Sequence, residues 1–152
     1  MPPEVTIRPC VEGDLPTATA FLRQLYAARP ADARLDELPG RLSAFALVAE
    51  SAAGEVVGLL LAEERATRNL RDEMGRDAFP DDTQYLEVQD LFVATAHRGQ
   101  GIGTALVRAA LDRAAAAGVR RSMVYSANAD YARIARFYER CGFRMWHIFM
   151  TR

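Results

Sequence analysis

Two carboxylates, a cluster of glycines and one phenol stand in an order that could move a proton on and off a ligand bound through its phosphates. Glu87 and Asp90 lie in the run Tyr85-Leu86-Glu87-Val88-Gln89-Asp90-Leu91-Phe92-Val93, glycines follow at 99, 101 and 103, and Tyr138 stands in Phe137-Tyr138-Glu139. A carboxylate can accept a proton from an attacking amine, and a phenol can give one to a leaving group. Glycine, lacking Cβ, lets backbone approach a ligand closely. Where such residues open a helix, its first N–H groups and its dipole favour an anion such as a phosphate or pyrophosphate. The same glycines also fit a plain tight turn. No Lys-Ser or Lys-Thr follows them, so the P-loop reading fails. Thr104 stands where the dinucleotide fingerprint needs glycine or alanine, so that reading fails too.

The elements that must carry these residues follow from periodicity. Tyr85 to Val93 is rich in aliphatic, aromatic and β-branched side chains, and the alanine-rich run from Gly103 to Gly118 repeats apolar positions at helical spacing. The unit is strand, loop, helix. Before it, Val5 to Arg8 reads as a strand, Asp14 as the N-cap of a helix through Ala18, Phe21, Leu22 and Leu25, and the region of Leu42 as a short helical segment. Ala46–Glu50 and Val56–Ala62 read as a hairpin turned at Gly54. Residues 63–83 read as a charged connection, with Arg65, Arg68 and Arg71 in a short ion-paired helix and Asp81 and Asp82 entering the central strand. After it, Arg121 to Ser126 reads as a strand parallel to the central one, because a helix connects them. Asp130 then caps a last helix, and Phe143 to Met150 reads as a closing strand.

Two motifs carry a resemblance to a family. Arg98, Gly101 and Gly103 fill the pattern of Arg or Gln, two residues, Gly, one residue, then Gly or Ala. Phe137-Tyr138-Glu139 followed by Gly142-Phe143 fills the pattern of a closing helix. Together they resemble the GNAT superfamily of N-acetyltransferases, over nearly the whole chain and most specifically between residues 85 and 143. The resemblance implies an α/β fold with a mixed, mostly antiparallel sheet, a central parallel strand pair, and helices on both faces. It implies acetyl-CoA as co-substrate, with no metal. Its pyrophosphate would lie on Arg98, Gly99, Gln100, Gly101, Ile102, Gly103 and Thr104, and the backbone of Leu91, Phe92 and Val93 would polarise the thioester carbonyl. Glu87, eleven residues before Arg98, matches a general base of the family, and Asp90 a substrate-contacting acid of its polyamine acetyltransferases. Tyr138 matches the general acid. Tyr131 stands where the family has an asparagine that contacts CoA, with Asn128 as a substitute. The two acids alternate faces on a regular strand, and a β-bulge between them would bring both to one face.

Totals set the remaining bounds. The chain has 152 residues, half of them hydrophobic and 26% charged, which fits one domain over residues 1–152. A formal charge of −1 supplies no basic face for nucleic acid. All 19 basic residues are arginine. Cys10 and Cys141 lack metal-ligand or disulfide spacing, and with no signal peptide or membrane-length apolar run they fit a cytoplasmic protein away from membranes. The expected reaction is direct acetyl transfer to a primary amine, with a small cationic amine such as a polyamine or an aminoglycoside-like compound as substrate. A protein or peptide amine, or a non-catalytic acyl-CoA sensor, are the alternatives. A short C-terminal strand leaves a sheet edge for a second subunit, so a homodimer is expected.

Overall fold

Leu47–Ser51, Val56–Ala66 and Gln84–Val93 carry the aliphatic side chains that a sheet buried on both faces requires, and they form its middle. The computed structural model describes residues 4–68, 84–126, 130–146, 150 and 152. Strands β1 (Val5–Pro9), β2 (Leu47–Ser51), β3 (Val56–Ala66), β4 (Gln84–Val93) and β5 (Arg121–Val124) lie side by side in sequence order. The first three pairings are antiparallel and β4 with β5 is parallel, so the sheet is mixed as expected. The parallel pair lies at one end of the described strands.

Helix α1 (Leu15–Leu25) covers one face, where Phe21 and Leu22 pack with Leu59, Leu61 and Phe92. Helix α2 (Ile102–Ala116) covers the other, where Leu106, Val107 and Ala110 pack with Leu60, Leu86 and Val88. A short helix α3 (Tyr131–Arg140) joins that second face through Ile134, Phe137 and Tyr138. Gly58 lets α2 settle on the sheet: a Cβ there would stand 3.0 Å from Leu106 Cδ1 and 3.3 Å from Ile102 Cγ2.

Several local expectations change. Strand β3 continues to Ala66, pairing Glu63–Ala66 with Gln84–Glu87, so Arg65 lies in a strand rather than in a charged helix. Expectations for Arg71, Asp81 and Asp82 lie outside the described residues. Asp14 precedes α1, but its carboxylate accepts from the Val11 N–H at 2.9 Å and from Arg8 at 2.7 and 2.9 Å. A guanidinium fork binds a carboxylate more strongly than a cap N–H does. Asp130 does cap α3, accepting from the Arg133 N–H. Phe143–Trp146 form no strand; the Phe143 N–H instead returns to the Tyr138 carbonyl at 3.0 Å, and the remainder of the expected closing strand, 147–149, lies outside the described residues. Among the described residues no helix is long and apolar enough to cross a membrane.

Candidate active site

Strand β4 does not run regularly. Leu61 stands opposite Asp90 and Ala62 opposite Val88, which leaves Gln89 without an opposite residue on β3. One extra residue reverses the alternation of everything beyond it. Leu86 and Val88 before the bulge, and Leu91 and Val93 after it, all pack on the α2 side, whereas Phe92 packs on the α1 side. Glu87 and Asp90, three residues apart, therefore share the α1 face.

The same strand separates from its parallel neighbour. Pairing with β5 ends at Val88 opposite Val124, while β4 continues to Val93. The Ala94 N–H donates to the Val57 carbonyl at 2.9 Å, so antiparallel alternation turns the N–H of Phe92 toward β3 and those of Leu91 and Val93 toward the opening. Phe92 thus cannot join them: its backbone belongs to the ladder, and its ring lies 4.7 Å from that of Phe21 on the other face. The N–H groups of Leu91 and Val93 point away from β3, beyond the last residue paired with β5.

The glycine loop follows directly. Gly99 and Gly101 have φ of +75° and +83°, and Gly101 is the N-cap of α2. A Cβ at either would meet nothing within 4 Å, so their use is conformational: they turn the chain so that the N–H groups of Ile102, Gly103 and Thr104 open the helix. Gly103 serves packing, since a Cβ there would stand 3.4 Å from the Phe137 ring of α3. The Ile102 side chain is buried in the core, so only its backbone is available at the start of the helix. Arg98 fastens the loop to β4, its Nε donating to the Val93 carbonyl at 2.8 Å and its guanidinium lying 5.4 Å over the Phe92 ring. Gln100 donates to the Ala96 carbonyl at 3.4 Å. Loop and helix start thus bring a left-handed turn directly against the N-terminus of α2.

Tyr138 is 9% exposed, held edge-to-face between Phe137 and Phe143. Burial above all, reinforced by the negative charge of Asp90, pushes its phenol above the ordinary tyrosine range. It therefore stays protonated. Tyr131 opens α3 and is 77% exposed. Asn128 lies outside the described residues.

Neither acid is a free carboxylate. Arg65 donates to Glu87 at 2.6 Å, and its Nε is 4.0 Å from Glu63, the residue opposite Glu87 across the ladder. Asp90 is buried more deeply, accepting from the Tyr26 hydroxyl on one oxygen and from Arg41 on the other. Each of its oxygens thus already accepts a hydrogen bond from within the protein. Burial and the bond to Asp90 push the Tyr26 phenol up to about 12. Tyr26 and Arg41, and the pairing of Arg65 with Glu87, escaped the sequence reading, for nothing in local spacing announces partners 64, 49 and 22 residues away. A concavity of about 480 Å³ lined by Glu64, Gln84 and Ala117–Arg121 lies at the far end of β4 from this site.

The model of the acetyltransferase (GNAT) family matches residues 16–143, spanning the bulged strand, the glycine loop and the helix of Tyr138. The chain belongs to that family. This GNAT chain is accordingly an acetyl-CoA-dependent acyltransferase by membership. No curated protein matches its sequence significantly. Solved structures share its fold. A transcriptional regulator from Bacillus halodurans C-125 superposes with a TM-score of 0.76 at 24% identity, over 98% of this chain and 99% of that one. An aminoglycoside N-acetyltransferase in complex with CoA gives 0.74 at 19% identity, over 98% and 94%. A Trypanosoma brucei acetyltransferase gives 0.69 at 21%, over 97% and 98%.

Proposed function

We propose that this GNAT domain, residues 1–152, moves the acetyl group of acetyl-CoA directly to the primary amine of a small cationic acceptor, of polyamine or aminoglycoside-like kind. The observation that carries the reading is the convergence of three features: the Leu91 and Val93 N–H groups on the open edge of β4, the start of α2, and Tyr138. The helix start and Arg98 receive the pyrophosphate. The β4 donors receive the carbonyl oxygen of the thioester as negative charge develops on it, which preorganised N–H groups stabilise without rearrangement. Glu87 takes the proton of the attacking nitrogen, and Tyr138 donates a hydrogen bond to the departing sulfur. The fit to acetyl-CoA is supported by the positive φ of Gly99 and Gly101, which turn the loop so that α2 opens directly after Gly101.

The cationic acceptor is supported by the carboxylates Glu63 and Glu87, which stand opposite one another on the α1 face of the sheet. The fold it shares with an aminoglycoside N-acetyltransferase is consistent with that class. The exposed Tyr125 ring, directly after β5, supports a homodimer. Release of CoA thiol, followed across a panel of small amines and peptides, tests the reading. Turnover confined to polyamines or aminoglycosides supports it; turnover confined to peptides transfers the substrate assignment to protein amines. Acetyl-CoA binding without any turnover makes the protein a sensor.

A further inference from the structure

The bulge at Gln89 decides which groups of β4 face the ligand, yet a bulge is a place where the ladder is interrupted and its extra residue is left unpaired. Something must hold it. Arg41, the last residue of a 3-10 segment at Leu35–Arg41, donates through one nitrogen to the side chain of Gln89 at 3.1 Å and to Asp90. Tyr26, just past the end of α1, donates to the other oxygen of Asp90. The bulge residue and its neighbour are thus gripped from two segments that arrive from the N-terminal third of the chain.

The grip is a poor investment if stability is its purpose. The Arg41 and Asp90 side chains are 8% and 3% exposed, and Arg41 Nε is buried without a hydrogen-bond partner among the described residues. Replacing a buried ion pair by apolar groups of similar size is often neutral or stabilising, and the best-attested use of such pairs is to select one register over another. We infer that Arg41 and Tyr26 are positioning residues of the acetyl-transfer site. They hold Asp90 and Gln89 so that β4 keeps its bulge, with Leu91 and Val93 N–H groups on the open edge and Glu87 on the acceptor face. This rests on the reaction proposed above.

The test removes the grip without stranding a charge. Tyr26→Phe, Arg41→Met and Asp90→Leu are combined in one variant, so that no buried polar partner is left behind. The melting temperature is expected to be unchanged or higher, while kcat falls about tenfold to a hundredfold and the KM of the amine changes little. Arg41→Lys, which keeps the charge on a shorter side chain of different shape, should fall between wild type and the triple variant. Hydrogen exchange at the Phe92 amide, which belongs to the ladder with β3, should quicken in the triple variant without a matching change in β2. A lowered melting temperature with kcat per folded molecule preserved would make the cluster merely structural and overturn the inference. A raised amine KM at constant kcat would make Asp90 a substrate contact and also overturn it. Should wild type acetylate no amine, the proposed reaction fails separately, and the exchange measurement still decides the grip: an unchanged Phe92 rate defeats it.

Discussion

Tyr138 and Glu87 meet opposite demands. The phenol lies in an apolar setting that disfavours its anion, so at any pH where the enzyme works it is a donor. Full transfer of its proton to a thiolate with an ordinary pKa of ~8.5 is uphill, so donation accompanies the breaking of the carbon–sulfur bond rather than preceding it. Tyr138→Phe should lower turnover by roughly 10²–10⁴-fold with acetyl-CoA affinity and melting temperature nearly intact, as read by kinetics, calorimetry and thermal unfolding of one preparation. In the proposed reaction Glu87 faces an amine whose ordinary pKa of ~10.4 leaves it almost wholly protonated at neutrality. Glu87→Gln should therefore slow the reaction most at low pH and recover as pH rises toward the pKa of the amine. A pH–rate profile parallel to that of wild type would remove Glu87 from the proton path.

At the scale of elements, the three glycines of the loop are not equivalent. Gly101 holds a left-handed conformation that costs an L-residue roughly 1–2 kcal/mol. Gly101→Ala should show that loss in denaturant unfolding, and Gly101→Glu should in addition place a carboxylate where a pyrophosphate belongs and weaken acetyl-CoA binding in calorimetry. Unchanged affinity in the glutamate variant would mean the nucleotide lies elsewhere. Gly58 tests the spacing of sheet and helix instead. Gly58→Val forces side-chain carbon against Leu106 and Ala49 and should destabilise by about 1–3 kcal/mol, with the effect on turnover following only the folded fraction.

For the whole molecule, buried neutral acids set the alkaline limit. Burial raises the Cys10 thiol from 9.0 to about 11, and the Tyr26 phenol rises from 10.0 to about 12; Cys141 and Tyr138 move in the same direction. Each is more easily ionised unfolded than folded. Their contribution to stability is full below the ordinary values and is lost as pH climbs through the raised ones. On the acid side Arg8 holds Asp14 below its ordinary 3.8, a contribution present above that value and lost as pH falls through the lowered one. Melting temperature against pH should therefore run level through neutrality, fall from about pH 9 upward and fall again below about pH 4. Cys10→Ala should flatten the first part of the alkaline fall. Sedimentation should give twice the chain mass if the β5 edge is covered by a second copy, and Tyr125→Ser should return it to one.

The chain's periodicities determined the order of its strands, the parallel pairing after the glycine loop and the capped helix that carries Tyr138. All three depend on neighbours in sequence, where alternation, helical spacing and capping act. The motifs at Arg98–Gly103 and Phe137–Phe143 made the family legible for the same reason: each is a local backbone geometry written in adjacent residues. Tertiary structure decided the rest. Whether Glu87 and Asp90 share a face depends on an extra residue opposite β3, and no count along β4 alone reveals it. Whether Phe92 offers an N–H depends on which neighbour its strand has, and here β3 takes it while β5 has already diverged. Asp90 looked like an open acid until Tyr26 and Arg41 arrived from distant segments to occupy both its oxygens. Such pairings are made when the chain collapses, because only then do charges far apart in sequence lose water together and have to find one another.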